Sequence, residues 1–269
     1  MLKLSISIAT LLCSFACLAQ QKNSWVLETA LGYTNASSKN YDGSLISTTD
    51  TQAISESVGL RYMFKPTTSA FMRVSRMNVN QNISGQNYSY KESAKEPAAW
   101  NVFAGVSHEF KDDSSGVGIV GMADVAVKEE FSNPSLLDTT RIYDSRSFKS
   151  FNLGAVLYKS YEPVLISCAM NFNYNTVYKD IKPGNSLSIN PKITFAINEK
   201  VSLDYGYQLV FQKPISIAGE TTTYGYTLNN AILGAVFKLD QTDSIAASFK
   251  NNISSTQGSY ISVGYSHGF

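Results

Sequence analysis

The sequence predicts one all-β domain, a transmembrane up-and-down antiparallel barrel of about twelve strands, with 10–14 compatible with the pattern. Three observations carry this. Beyond the amino-terminal segment, apolar residues recur at every second position in segments of about ten residues, the length a tilted strand needs to cross a bilayer. The connections between those segments alternate between tight turns and long polar stretches. Helical periodicity is nowhere sustained, and no later apolar run reaches the ~20 residues of a spanning helix. Unpaired backbone groups in hydrocarbon cost several kcal/mol each, so strands that cross must close on themselves.

The elements follow in chain order. Residues 1–19 carry Lys3, an apolar run from Leu4 to Leu12 and Cys17-Leu18-Ala19 before Gln20, the form of a secretory signal peptide cut after Ala19. Acylation of Cys17 as in a lipoprotein is the other reading, although Ser14 stands where a large aliphatic residue is expected. Residues 20–269 are then the barrel domain. Losing Lys3 takes 22 Lys plus Arg to 21 against 21 Asp plus Glu, a neutral balance that suggests neither nucleic acid nor a strongly anionic surface as partner. Cys13 and Cys17 leave with the signal, so Cys168 has no disulfide partner and is expected on an apolar wall. A mean hydropathy of −0.10 is too polar for a helical membrane protein.

From there the outward faces read Trp25, Leu27, Thr29, Leu31, Tyr33; Val58, Leu60, Tyr62, Phe64; Ala70, Met72, Val74; Trp100, Val102, Ala104, Val106; and Val117, Ile119, Ala123, Val125, Val127. The later half continues with Phe151, Leu153, Ala155, Leu157; Val164, Ile166, Cys168, Met170, Phe172, Tyr174; and Leu187, Ile189, Ile193, Phe195, Ile197. The next strands are marked by Leu203, Tyr205, Tyr207, Leu209; Ala231, Leu233, Ala235, Phe237; and Ile245, Ala247, Phe249. The last alternates Ile261, Val263, Tyr265, His267 and Phe269 against Ser262, Gly264, Ser266 and Gly268. Pro191 cannot donate to a closed ladder, so a bulge or a displaced boundary is expected in the eighth strand.

Tight turns are expected at Lys65 to Thr68, Lys111 to Ser115, Lys159 to Pro163, Asn198 to Lys200 and Asp240 to Asp243. Long loops are expected over Ala36 to Thr51, Asn80 to Pro97, Ser132 to Ser145, Lys179 to Asn185, Lys213 to Thr222 and Ile253 to Gly258. Aromatics gather near the strand ends, with Trp25, Tyr62, Phe64, Phe110 and Phe269 at one boundary and Tyr33, Trp100, Phe172, Tyr174, Phe211 and Tyr224 at the other, as amphipathic rings do at headgroup level. A secreted β-sandwich would bury the same apolar faces in a core, but it explains neither the alternating connections nor the terminal Phe269.

With these features together, the chain from Trp25 to Phe269 resembles bacterial outer-membrane β-barrel proteins of the small porin-like kind. The resemblance rests on the signal peptide, the alternating strands and the ending Tyr265-Ser266-His267-Gly268-Phe269. It implies a Gram-negative outer membrane, with short turns in the periplasm and long loops outside. It also implies that Tyr265 and Phe269 form the signal read by the barrel-assembly machinery. His267 departs from the large apolar or aromatic residue often found at that place. The superfamily includes a twelve-stranded phospholipase with a Ser-His-Asn arrangement, but here only His108 and His267 are available, both on the outward parity and with no nucleophile motif nearby. No metal, phosphate-loop or calcium motif is present, so no cofactor and no covalent chemistry are expected.

The inward parity carries Gly32, Gly59, Gly105, Gly118, Gly154, Gly206, Gly234 and Gly264, which permit closure and would leave space. It also carries Asn101, Asn152, Asn171, Asn173, Gln208, Asn230, Asp124, Lys128, Lys192, Asp204 and Lys250, a surface that favours water. If the turn at Pro66-Thr67 pairs its strands, Arg61 and Arg73 face each other, with Glu28 and Glu109 at similar height. Such a row narrows the pore, binds a passing anion or only satisfies inward charges. The leading expectation is a passive channel for small hydrophilic solutes or ions, set in the lipid bilayer. The alternative is a non-conducting barrel that presents its outer loops or assists surface assembly or secretion.

Overall fold

The computed structural model describes residues 24–42, 45–85, 91–95, 99–112, 114–131, 144–146, 150–177, 181–182, 184–214, 216–217, 219–221, 225–253 and 257–269. The expected signal peptide and Tyr224 lie outside them. Twelve long strands are present: β1 Ser24–Asp42, β2 Leu45–Lys65, β3 Thr68–Gly85, β4 Ala99–Asp112, β5 Val117–Phe131, β6 Ser150–Tyr161, β7 Val164–Asn175, β8 Ser186–Ala196, β9 Val201–Gln212, β10 Tyr226–Lys238, β11 Asp243–Asn252 and β12 Gln257–Gly268. Each is antiparallel to its neighbours in sequence. The sheet closes where β1 pairs with β12, from Val26↔Gly268 to Ser37↔Gln257, while its other side pairs with β2. Closure leaves no sheet edge among these strands.

Side chains alternate across this wall, and the apolar set points out. Leu31 is 57 % exposed, Leu153 60 %, Tyr205 63 % and Leu233 53 %. In a soluble sandwich these residues would form the core; a belt of this kind is sustained by hydrocarbon. Aromatic rims bound it. Trp25 and Tyr62 lie 4.6 Å apart, Tyr62 and Phe64 5.0 Å, and Phe110 and Phe269 also face outward at the short-turn end. Tyr33, Trp100, Phe172, Tyr174 and Phe211 do so at the long-loop end. Cys168 is a free thiol on the outward parity, opposite Leu157 and Pro191.

The strands outrun the hydrophobic signal. The segments expected as loops over Ala36 to Thr51 and Asn80 to Pro97 are largely paired: β1 and β2 run on to Asp42↔Leu45, and Lys91–Lys95 pairs with Asn80 to Ser84 of β3. Backbone groups gain from pairing wherever two strands continue side by side, whereas side-chain alternation is demanded only where one face meets lipid. Two short strands within Lys213 to Thr222 join Ile181–Lys182 in a small sheet among the long connections.

Two local expectations are corrected. At Pro191 there is neither a bulge nor a boundary: the ladder to β9 lapses at Asn190 and Pro191, and the register is unchanged from Ile189↔Leu209 to Lys192↔Gly206. Losing one donor interrupts the bonding without shifting the strand. A register shift does occur in β5, where Phe103 pairs with Ala126 and Val102 with Lys128, leaving Val127 as an extra residue. Directly paired residues share a face, so Lys128 is turned onto the outward side with Val102 instead of into the lumen. It is exposed there, near Trp100 and the Arg76 guanidinium that lies 5.4 Å over the Trp100 ring.

The short turns are built by side-chain carboxylates and amides. Asn198 Oδ1 accepts from the backbone N–H groups of Lys200 and Val201, and Asp240 Oδ1 from those of Thr242 and Asp243. Asp112 Oδ1 accepts from the Ser114 N–H and hydroxyl. These bonds, led by the Ser114 hydroxyl, hold the Asp112 carboxyl below its ordinary pKa. Such side-chain-capped turns set the hairpin register. Gly116 completes its turn at φ 66°, a conformation a β-branched residue resists. Gly116→Val should therefore destabilise the β4–β5 hairpin by about 1–2 kcal/mol. A lowered denaturant midpoint for refolded protein in vesicles checks this, and an unchanged midpoint would refute it.

Candidate functional site

The inward faces meet in a lumen whose charges are paired across strands. Glu28 of β1, Gly59 of β2, Arg73 of β3 and Phe103 of β4 are successive cross-strand partners, so they share one row. Arg61 stands one inward position nearer the short turns, opposite Val26 and Phe71. Gly59 has no side chain to intervene, and Glu28 Oε1 reaches Arg61 Nη2 at 3.0 Å. Arg73 lies 5.2 Å over the Phe103 ring, within electrostatic reach of Asp124, Glu28 and Arg61. Three of the four expected residues thus come together, with the two arginines offset by one inward position. Carboxylates beside each guanidinium relieve their mutual repulsion.

Glu109 does not join them. Its N–H donates to the Thr67 carbonyl at 2.7 Å, which places it at the level of the short turn, and its carboxylate accepts from the Tyr158 hydroxyl of β6. The height of Glu109 depends on the β3–β4 register, Thr68↔His108, which no tight turn sets.

The opposite arc holds a second set, which the sequence shows only as isolated inward polar residues. Lys192 Nζ lies 3.2 Å from Asp204 Oδ2, and the Thr194 hydroxyl donates to Asp204 Oδ1 at 2.6 Å. Both carboxylate oxygens are therefore occupied, with Asp204 only 8 % exposed. Lys250 Nζ and Asn230 Nδ2 both donate to Gln208 Oε1, at 2.8 and 3.2 Å. Between the two arcs, Asn173 Nδ2 donates to Asn152 Oδ1 and Asn152 Nδ2 to Asp124 Oδ1, each at 2.6 Å. Inward charges of both signs, Arg61, Arg73, Lys192 and Lys250 against Glu28, Glu109, Asp124 and Asp204, offset one another among the described residues between the aromatic rims.

The lumen is fuller on one side than its glycines suggest. A Cβ added at Gly105 would meet Phe71 and Asp124, one at Gly32 the Tyr260 ring, one at Gly118 the Tyr158 ring, and one at Gly154 Asn171 and Met122. Large inward side chains lie across these glycines and take up the space the missing side chains leave. A pocket of about 50 Å³ remains at mid-height, lined by β7 to β12 and bordered by Asn190, Lys192, Asp204, Gly234, Ser248 and Ser262. At about 10–15 Å³ per water it holds about three to five waters.

The two histidines face outward at the short-turn rim. His108 Nδ1 shares a 2.8 Å hydrogen bond with the Thr68 hydroxyl and packs edge-on against Phe110. His267 Nδ1 lies 2.8 Å from Asp243 Oδ1 and packs edge-on against Phe269. Tyr265 also faces outward and donates its hydroxyl to Asp243, while the Phe269 N–H donates to the Trp25 carbonyl at 2.8 Å. Among the described residues no group of three or more His, Cys, Asp or Glu is placed to hold a metal.

Neither a family model nor a curated protein matches this sequence. Solved structures do match the fold. An outer membrane channel from Pseudomonas putida F1 superposes with a TM-score of 0.69 at 9 % identity, covering 94 % of this chain and 97 % of that one. The translocator domain of the autotransporter NalP from Neisseria meningitidis gives 0.55 at 13 % identity, with coverages of 93 % and 90 %. The NanC porin gives 0.53 at 9 % identity, with 90 % and 98 %. At such identities the likeness establishes the architecture: this chain has the closed twelve-stranded fold of outer-membrane barrels.

Proposed function

We propose that the chain resides in the bacterial outer membrane and forms a narrow, passive channel for small hydrophilic solutes or ions. The observation that carries this is the mid-height pocket on the β7–β12 side of a lumen lined by paired charges and amides, space that a barrel filled by its own side chains would not leave. The fold shared with an outer membrane channel and a porin supports it. The short turns face the periplasm and the long connections face outward. No covalent step is required. The outward Tyr265 and Phe269 serve the barrel-assembly machinery during insertion. The Glu28, Arg61 and Arg73 group narrows the lumen from one side, and its charges set a weak ion preference.

Planar bilayers test the reading directly. Purified protein should give small, discrete openings with little preference between potassium and chloride. Arg61→Ala with Arg73→Ala removes two cations and two long side chains, so conductance should rise and preference should shift toward cations. Unchanged conductance and selectivity in that variant would end the role of the arginines, and a folded barrel without openings would end the channel reading.

A further inference from the structure

We propose that solute crosses along the β8–β12 side of the lumen, and that Asn190, Lys192 and Asp204 form a binding site there for small uncharged solutes rich in hydroxyl groups. This rests on the channel reading. The route follows from the uneven filling of the barrel. On β4 to β6 the inward glycines are covered by Phe71, Tyr158 and Met122, and near the β12–β1 closure Tyr260 covers Gly32. On β9 and β10 an added Cβ at Gly206 or Gly234 would come no nearer than 3.2 Å to any atom, its nearest neighbours being the Pro191 and Ala247 carbonyls and the side chains of Lys192 and Asp204. The pocket lies on this side, completed by Ala246, Ser248 and Ser262.

The solute class follows from the polar groups that border the pocket. Asn190 is 8 % exposed, and its Oδ1 has no hydrogen-bond partner. A buried acceptor without a donor favours any passing group that supplies one. Lys192 is neutralised by Asp204, yet an ammonium has three N–H donors, so it can also donate to a solute oxygen. Across the pocket the Ser248 and Ser262 hydroxyls lie 2.7 Å apart and can each donate or accept. The Lys192–Asp204 pair is neutral overall, so it offers an ion of either sign no net counter-charge for the hydration lost in so small a space. A hydroxyl loses far less hydration and meets both donors and acceptors, and a glycerol-sized molecule replaces pocket waters with three hydroxyl groups.

The experiment uses full-length protein with Cys168→Ala, so that one introduced thiol is the only target in the mature chain. A charged methanethiosulfonate should cut the bilayer conductance of Ser248→Cys by at least about half, because the adduct fills a narrow passage. The same reagent should leave Ala126→Cys, inward on β5 of the filled side and fully buried, conducting as before. In liposome swelling glycerol should enter faster than glycine, and Asn190→Leu should slow glycerol about fivefold, the factor one lost hydrogen bond carries. Block at position 126 without block at 248, or glycine entering as fast as glycerol, overturns the site while leaving the channel intact. A heat-modifiable, folded barrel that neither conducts nor swells overturns both.

Discussion

Leu233→Arg should cost the barrel about 2–4 kcal/mol of stability in lipid vesicles, because it places a guanidinium near the centre of the hydrocarbon. Leu233 lies in the middle of β10, paired with Tyr205 and Phe249, both outward. The same substitution at Leu239, which is 51 % exposed just past the end of β10 at the short-turn rim, should cost only about 0–1 kcal/mol. At the rim the side chain reaches headgroups and water, whereas at the centre it can escape only by deforming the bilayer. Denaturant unfolding of both variants in vesicles measures the contrast. Equal costs at the two positions would mean that the outward face does not meet hydrocarbon, and the membrane reading would fall with it.

That depth dependence also explains which parts of the fold were legible in the sequence. Between the aromatic rims, every outward residue must be compatible with lipid and most inward ones must not crowd the lumen. Alternation there is strict enough to assign Leu153, Leu157, Ile166, Met170 and Leu233 to the correct face. Beyond the rims both faces meet water. The continuation of β1 and β2 to Asp42↔Leu45 therefore leaves no sustained apolar alternation in the sequence, and its backbone pairing needs none. The bulge at Val127 is silent for a related reason: Val127 and Lys128 fit the alternating pattern of an unbroken strand, and only the pairing of Val102 with Lys128 reveals the flip.

The candidate site was legible to the extent that local turns set its register. The two-residue Pro66-Thr67 turn brings β2 against β3, and a register shift between Met63 and Lys65 offsets the strands beyond it, so the approach of Arg61 and Arg73 to Glu28 could be expected only to within one inward position. The height of Glu109 depends on how β4 docks on β3, whose connection is long, and sequence has no handle on it. The filling of the lumen was missed for another reason. Phe71, Met122, Tyr158 and Tyr260 sit on the inward parity, but their significance lies in which glycine each one covers on a neighbouring strand, a relation of three-dimensional register.

Asp204→Ala tests the charge balance of the lumen and should be the costliest change on the inward face. The carboxylate is nearly buried and holds Lys192 and Thr194 at once, so its removal strands an ammonium whose side chain is only 15 % exposed. Breaking a buried pair from one side costs about 3–5 kcal/mol, and the lower end is expected here because water in the adjoining pocket can reach Lys192. Removing both partners, Lys192→Met with Asp204→Leu, should restore most of that loss, since neither charge is then left uncompensated. The single variant should also acquire anion preference, because it leaves one unopposed positive charge at mid-lumen, and the preference should fade as salt is raised. Reversal potentials under a salt gradient read this. If Asp204→Ala is as stable as the double variant and its ion preference is unmoved, the Lys192–Asp204 pair neither holds the wall together nor faces the passage.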